Sequence, residues 1–334
     1  MSGVRETGLG HVERSLGSTG LTVSPIGLGL AALGRPAYIT LGRDRDLGGD
    51  RSIAAMERRC HEVLDAAYAG GVRYVDAARS YGLAEQFLAS WLDTRDLSSS
   101  PVTIGSKWGY EYTGAWALNA AAHEQKNLSI EMLRRQLPES RGFLGRHLAL
   151  YQIHSATLES GVLEDRRVLD ELVRLRSEGL AIGLTVSGPR QADTIRRALD
   201  VEIDGVNPFQ CVQATWNLLE TSAGSALAAA RAQGWGVIVK EALANGRLTD
   251  RNADESLAPV IHRAAALGTT LDALSIAAVL SQPWVDVVLS GAVSPTQLQS
   301  HLSALSIRAG DDRWPDIAEP PEAYWKRRST LPWH

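Results

Sequence analysis

Short apolar segments alternate with amphipathic ones along most of this chain. Apolar runs of strand length fall near residues 26–30, 73–77, 102–107, 148–153, 181–186, 205–211, 235–240 and 285–290. Between them lie stretches with helical spacing, such as ERRCHEVLDAAYAGG, LAEQFLASWLDTR, SIEMLRRQL, EDRRVLDELVRLRSEG, RQADTIRRALD, GSALAAARAQG and the pair LAPVIHRAAALG and LDALSIAAVLSQ. Gly70, Gly179, Gly234 and Gly268 follow such stretches, where helices commonly end. Eight strands with intervening helices predict an α/β fold, a (β/α)8 TIM barrel. A doubly wound sheet is the alternative, but the glycines of GLGLAALG, at 27, 29 and 34, do not have the GxGxxG spacing.

Three segments depart from the alternation. RSLGSTGLTVS, with turn residues Gly17 and Gly20, predicts an N-terminal β-hairpin. Residues 33–55 form a long loop after strand one, too rich in Gly and Arg for a buried element. The tail 307–334 carries Trp314, Tyr324, Trp325 and Trp333, and is expected to lie over the barrel. The whole chain, 1–334, is expected to be one domain, with the barrel at about 24–306.

Composition narrows the function without deciding it. A hydrophobic share of 44% with a net charge of −4 gives no basic stripe and so no reason to expect nucleic acid. No apolar run approaches the roughly 20 residues that span a bilayer, and MSGVRETGLGHVERSLG lacks the apolar core of a signal peptide. A cytoplasmic protein with no membrane partner is expected. Cys60 and Cys211 lie in different predicted elements and outside any metal-ligand spacing, so they are expected to be reduced and buried, with no metal. Only Lys107, Lys126, Lys240 and Lys326 are lysines among 34 basic residues, which singles out a lysine inside a strand pattern.

Barrel chemistry gathers where the strands end. Asp76 ends strand two, Lys107 ends strand three, His154 ends strand four, and Tyr81 follows in the second loop. Singly, each has an ordinary reading: a helix cap, a solvated lysine, a structural histidine, a packing tyrosine. Together on one rim they make a proton-transfer constellation, with Lys107 the expected partner of the costly buried Asp76. An ammonium beside a phenol is expected to lower its pKa from about 10. A neutral His154 could hydrogen-bond a substrate oxygen.

The sequence resembles the aldo-keto reductases from about residue 14 to 306. The matching stretches are YVDAARSYGLAEQFL, GSKWG, YQIHS, QATWNLLE, VIVKEALANGRL and LSGAVSPTQL. The resemblance implies reduction of an aldehyde or ketone by hydride transfer from NADPH, with NADH possible. It makes Tyr81 the general acid and Asp76, Lys107 and His154 the rest of a tetrad. It places Gln213 and either Ser187 or Thr185 on the carboxamide. Glu241, Leu243 and Asn245 would lie in the loop around the pyrophosphate, and Gly291, Ser294, Gln297 and His301 at the adenosine end. The strand-eight segment carries no Lys or Arg for a 2′-phosphate. After strand seven the family usually offers an aromatic residue to stack on the nicotinamide; here stands Lys240, which could lie flat, reach the phosphates, or face solvent. Trp108, the loop after strand one and the aromatic tail are expected to line the pocket for a small carbonyl substrate. Two other readings stay open: a cofactor-sensing regulatory subunit of the same fold, and a lyase forming a Schiff base on Lys107. The oligomeric state is open, with a monomer compatible.

Overall fold

The computed structural model describes residues 5–6, 12–98, 100–308 and 314–333. Parts of the N-terminal stretch and of the tail, residues 309–313 and 334 among them, lie outside the described residues. Eight parallel strands close into a barrel. They are β1 Ile26–Gly29, β2 Tyr74–Asp76, β3 Thr103–Trp108, β4 Leu148–Ala156, β5 Ala181–Val186, β6 Cys211–Thr215, β7 Gly236–Lys240 and β8 Val287–Ser290. Each pairs with its sequence neighbour, and β8 returns to β1 through Val288 opposite Ile26 and Ser290 opposite Leu28. The strands are buried on both faces; β5 is covered at every position. That is why they appear in the sequence as continuous apolar runs rather than alternating ones.

The intervening helices are α1 Ile53–Ala69, α2 Ala84–Asp93, α3 Ile130–Leu144, α4 Arg166–Ser177, α5 Gln191–Leu199, α6 Gly224–Ala232, α7 Ala258–Ala266, α8 Leu271–Leu280 and α9 Pro295–Ser303. Side chains of Ser52, Ser129, Asp165, Thr270 and Ser294 accept first-turn amides at five of these N-termini, replacing partners that the helix itself cannot supply. The main core lies between strands and helices and takes in Cys60. A second apolar cluster fills the barrel interior, built from Tyr74, Leu150, Cys211, Ile238 and Val287. The antiparallel hairpin Val12–Ser15 with Thr22–Val23 delivers Leu16 into that cluster and so seals the lower end. Among the described residues no single helix is long and apolar enough to cross a membrane.

Two expectations need correction. Strand six runs Cys211–Thr215, not 205–211. Pro208 has no amide for a ladder, and Asn207 Nδ2 turns back to donate to the carbonyls of Ala198 and Leu199 at the end of α5. The segment 33–55 is not an exposed loop: Leu33, Arg35, Ala37, Ile39 and Leu47 are buried. It contains a short helix, Arg43–Leu47, and the start of α1. A further two-stranded hairpin, Tyr110–Tyr112 with Glu124–Lys126, follows β3.

The tail docks through helix α10, Pro321–Ser329. Tyr324 and Trp325 pack with Leu218, Leu248, Leu257 and Val260 in a core of their own. Arg247, buried, forms a two-pronged pair with Glu319, with Nη1 to Oε2 at 3.0 Å, and the Glu319 amide donates to Leu219 O at 2.9 Å. Replacing Glu319 by Ala strands a buried guanidinium. The expected loss is about 2 kcal/mol, discounted for the half-buried carboxylate. Urea denaturation of Glu319→Ala checks it; an unchanged midpoint would remove the pair from the docking of the tail.

Candidate active site

Asp76, Tyr81, Lys107 and His154 meet at the upper end of the barrel. Tyr81 stands on a loop that only glycine permits. A Cβ at Gly34 would come within 2.2 Å of Tyr81 O, and one at Gly82 (φ +62°) within 2.4 Å of Gly34 O. The close approach is fixed by the Leu83 amide donating to Gly34 O at 2.7 Å. Glu85, fully buried in α2, holds the layer behind by accepting from Ser106, Ser140 and Arg79 at 2.6, 2.7 and 2.7 Å.

The partner of Asp76 is Lys107. Its ammonium contacts Asp76 Oδ2 and donates to Ala77 O at 2.9 Å and Tyr81 Oη at 3.2 Å. Asp76 Oδ1 accepts from Gln213 Nε2 at 3.0 Å, Tyr74 Oη at 3.2 Å and Gln152 Nε2 at 3.3 Å. Both charges are buried, at 2% and 1% exposure, and nearly every lone pair and proton of the pair is matched. The Nζ of Lys107 is therefore fully engaged in hydrogen bonds.

Burial, reinforced by Asp76 and Glu124, holds the Tyr81 phenol well above its ordinary pKa, against the pull of Arg35. This corrects the expectation that Lys107 lowers it: the lysine charge is answered by Asp76 beneath it, so desolvation of the phenolate wins. His154 is held well below the ordinary imidazole value by burial and by Lys107, Arg35, Lys240 and Lys126. Its Nδ1 lies 3.3 Å from Ser80 Oγ. With that hydroxyl donating to Nδ1, the neutral ring carries its proton on Nε2. The ring also packs edge-on to Tyr81, at 5.5 Å between centroids and 84°.

A cavity of about 800 Å³ runs from this cluster to the start of α9. Thr185, Ser187, Gln213, Lys240, Glu241 and Leu243 line it near the strand ends. Asn245, Gly291, Ser294, Gln297 and His301 line its far half. Thr185 Oγ1 already accepts the Ser155 amide at 2.7 Å. Trp108 is the exception: it is fully buried in the core between strands and helices and does not line the cavity. Adjacent strand residues face opposite ways, so Lys107 pointing inward sends Trp108 outward.

The loop after strand one and the aromatic tail, both expected at the pocket, line the cavity through Arg35, Tyr38, Arg328 and Trp333, whereas sequence reasoning missed Tyr110, Glu124 and the individual contacts. Arg35 pairs with Glu124 at 2.7 Å and lies 5.2 Å from the Tyr81 ring centre. Tyr38, Tyr110 and Trp333 frame the same mouth, with Trp333 brought in by a bridge to Ile39 and stacked on His123 at 4.8 Å and 8°. Arg328 reaches in from α10 and grips Glu241, Nε lying 2.9 and 3.0 Å from its two oxygens. Burial alone would raise the Glu241 pKa, but Arg328 and Lys240 hold it down at about 2. The aromatic tail signalled a pocket wall in the sequence; the ion pairs of Arg35 and Arg328 carried no such signal.

The far half of the cavity suits a dinucleotide. It offers the N-terminal amides of α9 beside Ser294, an Asn245 side chain whose buried Oδ1 has no protein partner, and the open Gly291. Arg251 lines it too, but is committed to Asp46 at 2.6 Å, and Asp272 accepts from Ser300 at 3.0 Å.

These features define a barrel with a tyrosine, lysine and aspartate at the bottom of a long cavity. The chain belongs to the aldo/keto reductase family, whose sequence model matches residues 25–320. Accordingly it is an oxidoreductase of the kind that reduces carbonyls with a nicotinamide cofactor. It is similar to the NADH-specific methylglyoxal reductase of Escherichia coli (strain K12), 26% identical over 89% of this chain and 94% of that protein. Among solved structures it resembles the aldo-keto reductase AKR11C1 of Bacillus halodurans in its holo form, with a TM-score of 0.65, 18% identity and 95% of each chain covered. It also resembles PA4992 of Pseudomonas aeruginosa, with a TM-score of 0.63, 24% identity, and 91% and 98% covered.

His301 generates a pH prediction. Burial, against the raising effect of Asp272, keeps its pKa at about 4, while Nδ1 bonds Ser290 Oγ at 2.7 Å. The unfolded chain takes up this proton near pH 6.5 and the folded chain only near 4, so stability falls as pH drops through that window. From pH 7 to pH 5 His301 contributes a loss of about 2 kcal/mol. Urea midpoints of His301→Asn should fall less over that interval than those of the wild type. Parallel pH profiles would show that His301 titrates normally.

Proposed function

We propose that this protein reduces an aldehyde or ketone to an alcohol, with Tyr81 delivering the proton to the carbonyl oxygen. The observation that carries the reading is the Lys107 ammonium 3.2 Å from Tyr81 Oη inside the cavity, anchored by Asp76. A bound reduced nicotinamide would supply the hydride. The remaining chemistry belongs to the chain. Burial keeps Tyr81 protonated until a forming alkoxide, a far stronger base than a phenolate, takes its proton. Lys107 then lies beside the new phenolate and stabilises it. His154, neutral and with Nε2–H free to point into the cavity, holds the substrate oxygen without competing for the proton. Thr185, Ser187 and Gln213 would hold the carboxamide end of the cofactor, and Asn245, Gly291, Ser294 and Gln297 its phosphates and adenosine. A Schiff base on Lys107 is disfavoured, because that ammonium is fully engaged.

Tyr38, Tyr110 and Trp333 at the mouth suit a small carbonyl compound with an apolar or ring-bearing body. The name of the Escherichia coli relative adds methylglyoxal to the compounds to test. Purified protein mixed with NADH or NADPH and 4-nitrobenzaldehyde or methylglyoxal should consume the nucleotide. Tyr81→Phe should bind nucleotide as before and lose activity by roughly 10²–10⁴-fold. Wild-type rates in that variant would take the proton donor away from Tyr81.

NADH is the favoured nucleotide on charge. The sequence resemblance pointed to NADPH, but among the described residues the adenosine end offers the carboxylate of Asp272, while the lining Arg251 is already paired with Asp46. A carboxylate accepts a ribose hydroxyl and repels a 2′-phosphate. Titrations should give NADH the lower dissociation constant; tighter NADPH binding would reverse the assignment.

A further inference from the structure

Lys240 ends the buried run GVIVK and lines the cavity together with Asp76, Tyr81 and Gln213. Its Nζ donates to Thr215 Oγ1 at 2.8 Å, and Thr215 donates in turn to Glu241 Oε2 at 3.0 Å. Each carboxylate nearby already has a cation of its own: Asp76 has Lys107, and Glu241 has Arg328. Among the described residues Lys240 has no ion pair within 4 Å. Among the described residues the charges acting on the Lys240 ammonium are two further cations, Lys107 and Arg328, and two carboxylates, Asp76 and Glu241, which leaves its own charge in excess. Burial brings the Lys240 pKa down to about 8, so the ammonium form prevails at neutral pH.

This excess charge matters if the cavity holds a nicotinamide, and the inference rests on that reading. Direct hydride transfer requires the donor ring to touch the carbon whose oxygen lies at Tyr81 and His154. A ring placed there would lie beside Gln213 and Lys240, which line the same cavity as Tyr81 and His154. A reduced nicotinamide ring is neutral, whereas the oxidised ring carries a full positive charge. We propose that Lys240 selects the redox state of the bound nucleotide, repelling the oxidised ring so that the cavity holds the reduced cofactor and expels the spent one. A contact to the phosphates would not discriminate, because both redox states carry the same pyrophosphate. An aromatic residue at this position would offer a face to either ring; an ammonium favours one.

The test is to measure dissociation constants of NADH and NAD⁺, and in parallel of NADPH and NADP⁺, by calorimetry at pH 7. The proteins are the wild type, Lys240→Met, Lys240→Gln and Lys240→Arg. Met keeps the length and apolar stem of Lys without its charge, Gln repeats the neutralisation with a polar end, and Arg restores the charge. Removing one unit charge a few ångströms from another inside a protein is expected to tighten binding of the oxidised nucleotide by about ten-fold or more, with the reduced one little changed. The ratio of the two constants should collapse in Lys240→Met and Lys240→Gln and persist in Lys240→Arg. An unchanged ratio in folded Met and Gln variants overturns the proposal. So does equal weakening of both redox states, which would put Lys240 on the phosphates. If the wild type binds no nicotinamide nucleotide at all, the reductase reading fails and this inference falls with it. Binding of both nucleotides with no dependence on Lys240 leaves that reading standing and removes only the selector.

Discussion

The buried pair of Asp76 and Lys107 is the constraint from which the upper half of the barrel follows. Two opposite charges removed from water are favourable only when their remaining hydrogen-bonding capacity is also met. Asp76 on β2 meets Lys107 on β3, Gln152 on β4 and Gln213 on β6, with Tyr74 from its own strand closing the shell. One carboxylate thus coordinates side chains from four strands of the ring. Below it the interior is apolar, from Tyr74 and Leu150 down to Leu16 of the hairpin plug. The polar layer and the apolar layer divide the barrel: the lower one supplies stability, and the upper one holds Tyr81 against the Lys107 ammonium.

The tail extends the same logic to the mouth of the cavity. Helix α10 would be a weak element alone, because its nine residues bury only Tyr324 and Trp325. It is held by apolar packing under those two rings and by the pairs Arg247 with Glu319 and Arg328 with Glu241. Arg328 and Trp333 can then line the cavity although they lie far from the barrel strands in sequence. Asn217 joins the two systems, donating both to Glu241 O at 2.9 Å and to Tyr324 Oη at 3.0 Å.

The barrel and the meeting of Asp76, Tyr81, Lys107 and His154 on one rim were legible because both follow local rules. Strand runs and helix spacing repeat along the chain, and Asp76, Lys107 and His154 each sit where a strand ends. The same strand alternation turns Trp108 away from the side that Lys107 faces. The rest depended on distances that no local pattern encodes. Arg35 meets Glu124 across 89 positions of sequence, and Asn245 reaches Ile39 across 206. The segment 33–55 looked like a loop because its arginines suggested solvent, yet Arg35 is 2% exposed, held by Glu124 and by the carbonyls of Ala31 and Ser80. A buried arginine is recognisable only when its acceptors are known.

The electrostatics of the site join these parts. Carboxylates and burial keep the proton on Tyr81, while cations and burial keep it off the second nitrogen of His154. The two rings are 5.5 Å apart, yet the same field drives them to neutral forms from opposite directions. That is possible because the charges are arranged in short pairs, Arg35 with Glu124, Lys107 with Asp76 and Arg328 with Glu241, each of which cancels at a distance and acts strongly close by. Burial and the carboxylates disfavour the phenolate at rest, yet a phenolate formed there would have the Lys107 ammonium 3.2 Å away. The resting site therefore disfavours ionised Tyr81, while the geometry for stabilising it is already built, which is the condition for an acid that releases its proton only when a stronger base arrives.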